Sequence, residues 1–250
     1  MRQLMERNVN NSNGLLKVIA IFGWASILGV SMNANAGLFG FGGDSWKEEV
    51  LLHDGTKIIV DRSQSYGDPR HMGDAPPIKE QTITFTLPGT NKPITWKDET
   101  TEDIGHANFD LLALHIKNGI PYIVTSPNLC IAYNKWGNPT PPYIFFKYTS
   151  KTWRQIPISD FPTEFTNINL VIDDGAEAKN IASHGVVSSD AVKKLNGRLS
   201  QKEYKTIIRL PLSNGCPKLD PVKGGGWQSP GGAKAPHPII PSDSDTEKRQ

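Results

Sequence analysis

The chain has 250 residues, of which 37% are hydrophobic, and it carries a formal net charge of +2 at pH 7. This length can bury a sizeable core, in one domain or in two small ones. Three of the 27 basic and one of the 25 acidic residues precede residue 37, so residues 37–250 are formally neutral. Nucleic-acid binding needs a basic face that neutralises phosphates. The balance of charge therefore argues against nucleic acid as a partner.

Residues 1–36 have the anatomy of a secretory signal peptide. Three basic residues precede the apolar run from Val18 to Val30: Arg2, Arg7 and Lys17. Ala34 and Ala36 then occupy the positions that a signal peptidase reads, which predicts Gly37 as the mature N terminus. The alternative is an uncleaved membrane anchor, but the run is shorter than the ~20 apolar residues that span a bilayer. We therefore expect a periplasmic or secreted protein that keeps no stable membrane span after cleavage.

Export changes how the two cysteines are interpreted, because disulfides form and persist in oxidising compartments. With only Cys130 and Cys216 in the chain, a single intramolecular pairing is possible. The alternative is two buried free thiols. We expect the disulfide.

Composition divides the rest of the chain into three parts. Residues 37–45 are rich in glycine and predict a flexible lead-in, and residues 46–216 predict a single β-rich domain. Residues 217–250 contain six prolines and five glycines with few apolar residues. Such a segment buries too little surface to offset its ordering entropy, so we expect a disordered tail.

The first structural signal is a hairpin around His53-Asp54-Gly55-Thr56. A histidine beside an aspartate could begin a catalytic site, but it lies between the apolar runs EEVLL and KIIVD. Asp-Gly tolerates the positive φ that tight turns between strands require. The pattern therefore favours a bend over a catalytic pair.

Further strands follow in antiparallel pairs. TITFTL (82–87) alternates strictly and precedes PITW, while FDLLALHI meets IPYIVT across Asn118-Gly119, a strong hairpin signal. YIFFKY and TWRQIPI form another pair, and INLVI (168–172) predicts one more strand. The spacing of these hairpins also suits a β-propeller, but no residue motif repeats at that period.

Helices are predicted only near residues 188–208. Ser188 or Ser189 can cap the first, and Ser200 with Glu203 has capping-box spacing for the second. Strands do not alternate with helices, as a parallel sheet would require. The sequence therefore predicts a mainly β fold: an antiparallel, hairpin-rich sheet or sandwich with a short C-terminal helical hairpin.

Long runs of this sequence resemble a known protein family. They are SWKEEVLLHDGTKIIVDRSQ, PPIKEQTITFTLPGTNKPITWK, NFDLLALHIKNGIPYIVTSPNLCIAYNKWGNPTPPYIFFKY and EFTNINLVI. The chain is similar, over about residues 46–217, to a family of uncharacterised exported proteins of proteobacteria. The resemblance implies a bacterial envelope or secreted setting. It implies no activity, cofactor or catalytic residue.

Catalytic and metal-binding interpretations each have a plainer alternative. His115 or His106 could serve a periplasmic hydrolase, but His115 shares a strand face with apolar residues and no G-x-S-x-G elbow is present. Asp68, His71 and Asp74 could ligate a metal, but their glycine- and proline-rich setting is typical of a solvated connector. We expect no metal site and no cofactor.

Aromatic residues give the leading functional hypothesis. Tyr133, Trp136 and Tyr143 lie among Gly137 and three prolines in YNKWGNPTPPY. Large amphipathic rings on a stiff loop concentrate at binding surfaces. The alternative is that Trp136 and its neighbours cap the β core. The sequence thus predicts a non-enzymatic envelope module that binds a protein or a glycan, with a periplasmic hydrolase or an accessory part of an envelope assembly as alternatives.

Overall fold

The computed structural model describes residues 43–67, 76–172 and 174–232, which all belong to one compact unit, Phe41–Gln250. The predicted signal peptide with its Ala36–Gly37 cut lies outside these residues. So do Asp68, His71 and Asp74 of the metal hypothesis and the last 18 residues of the predicted tail.

Two four-stranded antiparallel sheets form the body of the fold, each with its strands in sequence order. The first sheet contains β1 (Gly43–Leu51), β2 (Lys57–Tyr66), β3 (Ile78–Thr86) and β4 (Pro93–Glu99). The second contains β5 (Phe109–Lys117), β6 (Ile120–Pro127), β7 (Ile144–Thr149) and β8 (Thr152–Ile156). The predicted mainly β, antiparallel fold is confirmed.

Local turn chemistry places the hairpins where the sequence predicts them. Gly55 has a φ of +84°, and the Asp54 carboxylate accepts a hydrogen bond of 2.9 Å from the Thr56 amide. Between β5 and β6, Asn118 and Gly119 both have positive φ, of +52° and +72°. Such turns match the twist of the strands that they join. His53-Asp54 therefore belongs to a bend, as predicted.

The two sheets pack face to face as a sandwich. Their shared core takes side chains from every strand of the first sheet and from β5, β6 and β7 of the second. Strict alternation along the first sheet buries one face, for example Val60 on β2 and Ile83 on β3, and leaves the other face toward solvent. Each such aliphatic side chain contributes about 1.5–3 kcal/mol on full burial.

The second sheet, by contrast, is buried on both faces. Its other face packs against apolar side chains from residues 158–208, among them Phe161, Phe165 and Ile207. For that reason β5 and β6 are almost continuously apolar and do not alternate. A third cluster lies where α2 (Gly175–Ala182) and α3 (Ser189–Asn196) cover β1.

Some predicted elements are wrong in detail. The predicted helix at Ser188 is α3, and Ser188 Oγ accepts a hydrogen bond of 3.2 Å from the Ala191 amide. The second predicted helix is only a 3-10 turn, Lys202–Tyr204, because the Ser200 amide bonds the Gln201 side chain and no capping box forms.

Residues 168–172 form no strand in the structure. They run along the edge of β5, where the Leu170 amide donates to the Leu112 carbonyl at 3.2 Å. The Asn169 side chain accepts from the Leu114 amide and donates to the Leu114 carbonyl, at 2.9 and 2.8 Å. A side-chain amide thus replaces part of the backbone ladder that a strand would form.

The structure also contains short elements that the sequence does not predict. These are α1 (Leu129–Lys135), α2, the 3-10 turn Ile158–Asp160 and a two-stranded pair of β9 (Asp220–Pro221) with β10 (Trp227–Gln228). The last pair lies within the predicted tail, of which the structure describes residues 217–232.

Candidate functional site

The three aromatic residues of the binding hypothesis do not form one exposed surface. Tyr133 on α1 is 8% exposed and Tyr143, just before β7, is 3% exposed. The Tyr143 hydroxyl donates toward the carbonyls of Glu203 and Thr206, at 3.0 and 3.1 Å. Burial raises the pKa of Tyr143 to about 12. Both tyrosine rings are therefore buried and not presented at the surface, and the Tyr143 hydroxyl holds the segment near residue 205 against the second sheet.

Trp136 lies at the rim of the shared core and is partly buried. Its ring centroid is 4.6 Å from that of Phe109, and its indole N–H donates to Asn108 Oδ1 at 3.2 Å. Asn108 in turn donates to the Asp98 carboxylate at 3.1 Å. These contacts favour the alternative in which Trp136 caps the core.

Beside this cap, the cysteines pair as predicted. Cys130 and Cys216 lie at disulfide-bonding distance, with their Sγ atoms 2.09 Å apart and their Cα atoms 5.2 Å apart. Asn134 on α1 adds to the junction, since it donates to the Pro217 carbonyl and accepts from the Leu219 amide, at 2.9 and 2.8 Å. The segment after residue 216 is therefore tied to α1 by side-chain bonds as well as by the cysteine pair.

His115 on β5 is fully buried and packs against its neighbours in the interior. Its ring stacks on Phe165 with centroids 4.6 Å apart, and its Nε2 lies 2.9 Å from the Asn167 carbonyl. A carbonyl only accepts, so Nε2 carries the proton of the neutral ring. Burial lowers the pKa of His115 to about 4. The ring therefore stays neutral near pH 7 and has no route to a solvent-borne substrate.

The other two histidines near the body of the fold also make structural contacts. His106 is 3% exposed, and its Nδ1 lies 2.7 Å from the Ala107 carbonyl. His53, in the first bend, makes an edge contact with Phe165 at a centroid distance of 4.7 Å. The centroids of the His53 and His115 rings are 6.2 Å apart. The bend of the first sheet thus contacts the residues near Phe165 that pack on the outer face of the second sheet.

A surface depression lies at the hairpin end of the first sheet, on its outer face. It has a volume of about 450 Å³. Its lining combines apolar and polar side chains: Thr56, Lys57, Ile58, Ile59, Asp61, Thr84, Phe85, Thr86, Pro88 and Pro93. Ile59 is 47% exposed, and Leu51 on the neighbouring strand is 37% exposed. Two exposed apolar side chains thus lie at this end of the face, whereas its middle has paired hydroxyls, such as Ser63 and Thr82 at 2.7 Å.

Sequence reasoning missed this depression, although a usable signal was present. In KIIVD three apolar residues follow one another, and alternation buries Val60 and turns Ile59 outward. A single exposed apolar residue is common, but Ile59 lies near Leu51 on the same solvent face, and neighbouring exposed apolar residues can mark a surface site.

The same reasoning missed the buried ion pair of Glu48 and Arg62. Alternation places each on the face of its strand that carries valine, Val50 or Val60. The Arg62 Nη1 and a Glu48 carboxylate oxygen are 3.3 Å apart, and both side chains are almost fully buried.

Comparison of the chain with known protein families, with curated proteins and with solved structures finds no match. Within residues 43–67, 76–172 and 174–232, no group of three or more metal-ligating side chains comes together. No helix in the described part of the chain has the length and hydropathy to cross a membrane.

Replacement of Trp136 tests its role as a cap. We expect Trp136→Ala to lower the free energy of unfolding by about 2–4 kcal/mol, because it empties a large volume beside Phe109. Trp136→Phe keeps a ring and loses the hydrogen bond to Asn108, so it should cost only about 1 kcal/mol. Urea unfolding followed by circular dichroism measures both. If the unfolding curve of Trp136→Ala superimposes on the wild-type curve, Trp136 does not stabilise the core as a cap.

His115 predicts a dependence of stability on acid pH. Its folded pKa lies below the ordinary value of 6.5, so the unfolded chain binds a proton that the native chain does not. The difference in the pKa of His115 between the folded and unfolded states therefore affects the free energy of unfolding. The stability is present in full above pH 6.5, and it falls by roughly 3 kcal/mol in total as the pH decreases toward the folded pKa.

The measurement is urea unfolding at neutral pH and near pH 4.5. His115→Gln should lose less stability between the two than the wild type does. His184→Gln, which alters an exposed histidine, should match the wild type. If all three proteins lose the same free energy, His115 does not titrate in this way.

Proposed function

We propose that this protein is a non-enzymatic module of the bacterial envelope, exported to the periplasm or secreted, that binds another protein through the depression on its first sheet. The observation that carries the proposal is the exposed apolar end of an otherwise polar sheet face. Leu51 and Ile59 project there beside a depression of about 450 Å³. Exposed apolar patches rimmed by polar groups mark interaction sites.

The rim of the depression suits a protein partner. Lys57 pairs with Glu49 at 2.8 Å, and Lys47 pairs with Asp61 at 2.6 Å. Because Glu49 lies opposite Ile59 and Lys57 opposite Leu51, charged and apolar side chains alternate on this surface. Protein interfaces combine apolar and charged side chains in this way. Glycan recognition would use an exposed ring, but the aromatic side chain in this lining, Phe85, is 2% exposed. These features favour protein over glycan.

The structural contacts of the histidines support a non-enzymatic role. A hydrolase that used His115 or His106 would need the ring within hydrogen-bond reach of a substrate. His115 is instead covered by Phe165, and the ring of His106 forms a hydrogen bond with the carbonyl of the next residue, Ala107. An accessory role in a larger envelope assembly is compatible with the same binding surface.

Export rests on the sequence and on the cysteine pair. Residues 1–36 have the order of a secretory signal, and a disulfide between Cys130 and Cys216 would persist outside the reducing cytosol. The resemblance to uncharacterised exported proteins of proteobacteria agrees with this location.

The location has a direct test. Intact mass and N-terminal sequencing of the protein from fractionated cells should give Gly37 as the first residue, in the periplasm or the medium. Non-reducing peptide mapping of the same sample should join Cys130 to Cys216. A protein that retains Met1 in the membrane fraction would instead be anchored.

The binding surface is tested by Ile59→Asp, which places a charge on the apolar patch without disturbing the buried face. Ser45→Asp is the matched control, because it adds the same charge at an exposed position of the same outer face, at the other end of β1. We expect a partner captured from envelope extracts, identified by mass spectrometry and rebound in purified form, to lose at least about tenfold in affinity for Ile59→Asp only. Equal affinity of the two variants would exclude this surface.

A further inference from the structure

Basic residues are concentrated in one segment of a chain that is neutral after residue 36. Residues 193–223 contain eight basic and two acidic side chains, whereas the remainder of residues 37–250 contains 16 basic and 22 acidic. The neutral total therefore hides a strong local excess of positive charge. Local charge, and not the total, sets the field that an approaching partner meets.

Four of these cations form what we call the basic patch: Lys193, Lys194, Arg198 and Lys202. All four are exposed. Lys193 and Lys194 lie on the solvent side of α3, whose other side buries Val192 and Leu195. Arg198 follows Gly197, which keeps helical φ and ψ, and Lys202 begins the next 3-10 turn. One amphipathic helix and the turn after it thus carry the whole patch.

The side chains of the basic patch are not held in ion pairs, although Asp190 lies in the first turn of α3 and Glu203 follows Lys202. Among the described residues, no ion pair involves any of its four members. The carbonyls at the end of α3 could attract them, but Lys205 Nζ already donates to the carbonyls of Asn196 and Gly197, at 2.9 and 3.0 Å. Three lysines of the first sheet differ, since Lys47, Lys57 and Lys97 pair with carboxylates.

We propose that the basic patch binds the phosphate headgroups of an anionic lipid surface. Three of its four members are lysines, which act on phosphates as mobile point charges and need no fixed geometry. Clusters of four or more basic residues attract the anionic headgroups of lipids, with about 1 kcal/mol from each residue near the surface. Residues 193–202 include no exposed large apolar side chain, and a protein interface would normally be anchored by one. The patch shares no residue with the depression on the first sheet, so the two proposals stand independently.

The experiment uses the protein isolated from cells, with its N terminus established by mass spectrometry. Cosedimentation at low salt compares vesicles of phosphatidylcholine with vesicles in which about one third is phosphatidylglycerol, where each basic residue near the surface raises partitioning roughly fivefold. The variant replaces Lys193, Lys194, Arg198 and Lys202 by glutamine. The control replaces Lys79, Lys92, Lys151 and Arg154 by glutamine, which removes the same charge from exposed positions on strands and turns of the two sheets. Circular dichroism establishes that both are folded.

Support requires binding to the anionic vesicles only, a fall of at least about twentyfold for the patch variant, and near wild-type binding for the control. Binding should also weaken steeply with added salt. Equal loss in both variants would show a response to net charge alone and would overturn the proposal. Failure to bind anionic vesicles would also overturn the proposal. Patch-dependent binding to polyglutamate in that case would indicate an acidic protein partner.

Discussion

The carboxylate of Glu48 fixes the place where the three hydrophobic clusters meet. One oxygen accepts the Val171 amide at 2.7 Å, and the other accepts the Trp46 indole and the Arg62 guanidinium, at 2.8 and 3.3 Å. Burial raises the pKa of Glu48, and these donors partly offset that effect. A buried carboxylate is costly unless its oxygens are satisfied, so removal of Arg62 would leave the charge of Glu48 unpaired. The side chain therefore specifies one position of the segment near Val171.

That segment contributes one residue to each of the three hydrophobic clusters. Leu170 belongs to the core between the sheets, Val171 to the cluster under α2 and α3, and Ile172 to the outer cover of the second sheet. Two asparagines complete the fastening: Asn169 bonds the backbone of β1 and β5, and Asn196 bonds Leu170 and Ile172. Side chains, and not a β ladder, join the two sheets and the helices here. Each satisfies buried backbone groups that would otherwise cost about 1–3 kcal/mol apiece.

The sequence predicts what local chemistry decides and misses what distant residues decide. Asp54-Gly55 and Asn118-Gly119 require positive φ wherever they occur, so their hairpins follow from dipeptides. The run at residues 168–172 is apolar enough for a strand, but its amides bond partners such as Glu48, 123 residues away. The burial of the tyrosines in the aromatic loop was missed for a similar reason. Nothing near Tyr143 in the chain indicates that the carbonyls of Glu203 and Thr206 will receive its hydroxyl.

The cysteine pair also changes what a broken peptide bond means for this molecule. It joins positions 86 residues apart, and between them lies the exposed stretch from Ser183 to Val186 that connects α2 to α3. A protease that cuts there leaves two chain segments held in one covalent molecule through Cys130 and Cys216. Val187 still exchanges backbone hydrogen bonds with β1 on the far side of the cut. Surroundings rich in proteases would thus nick the protein without releasing a fragment.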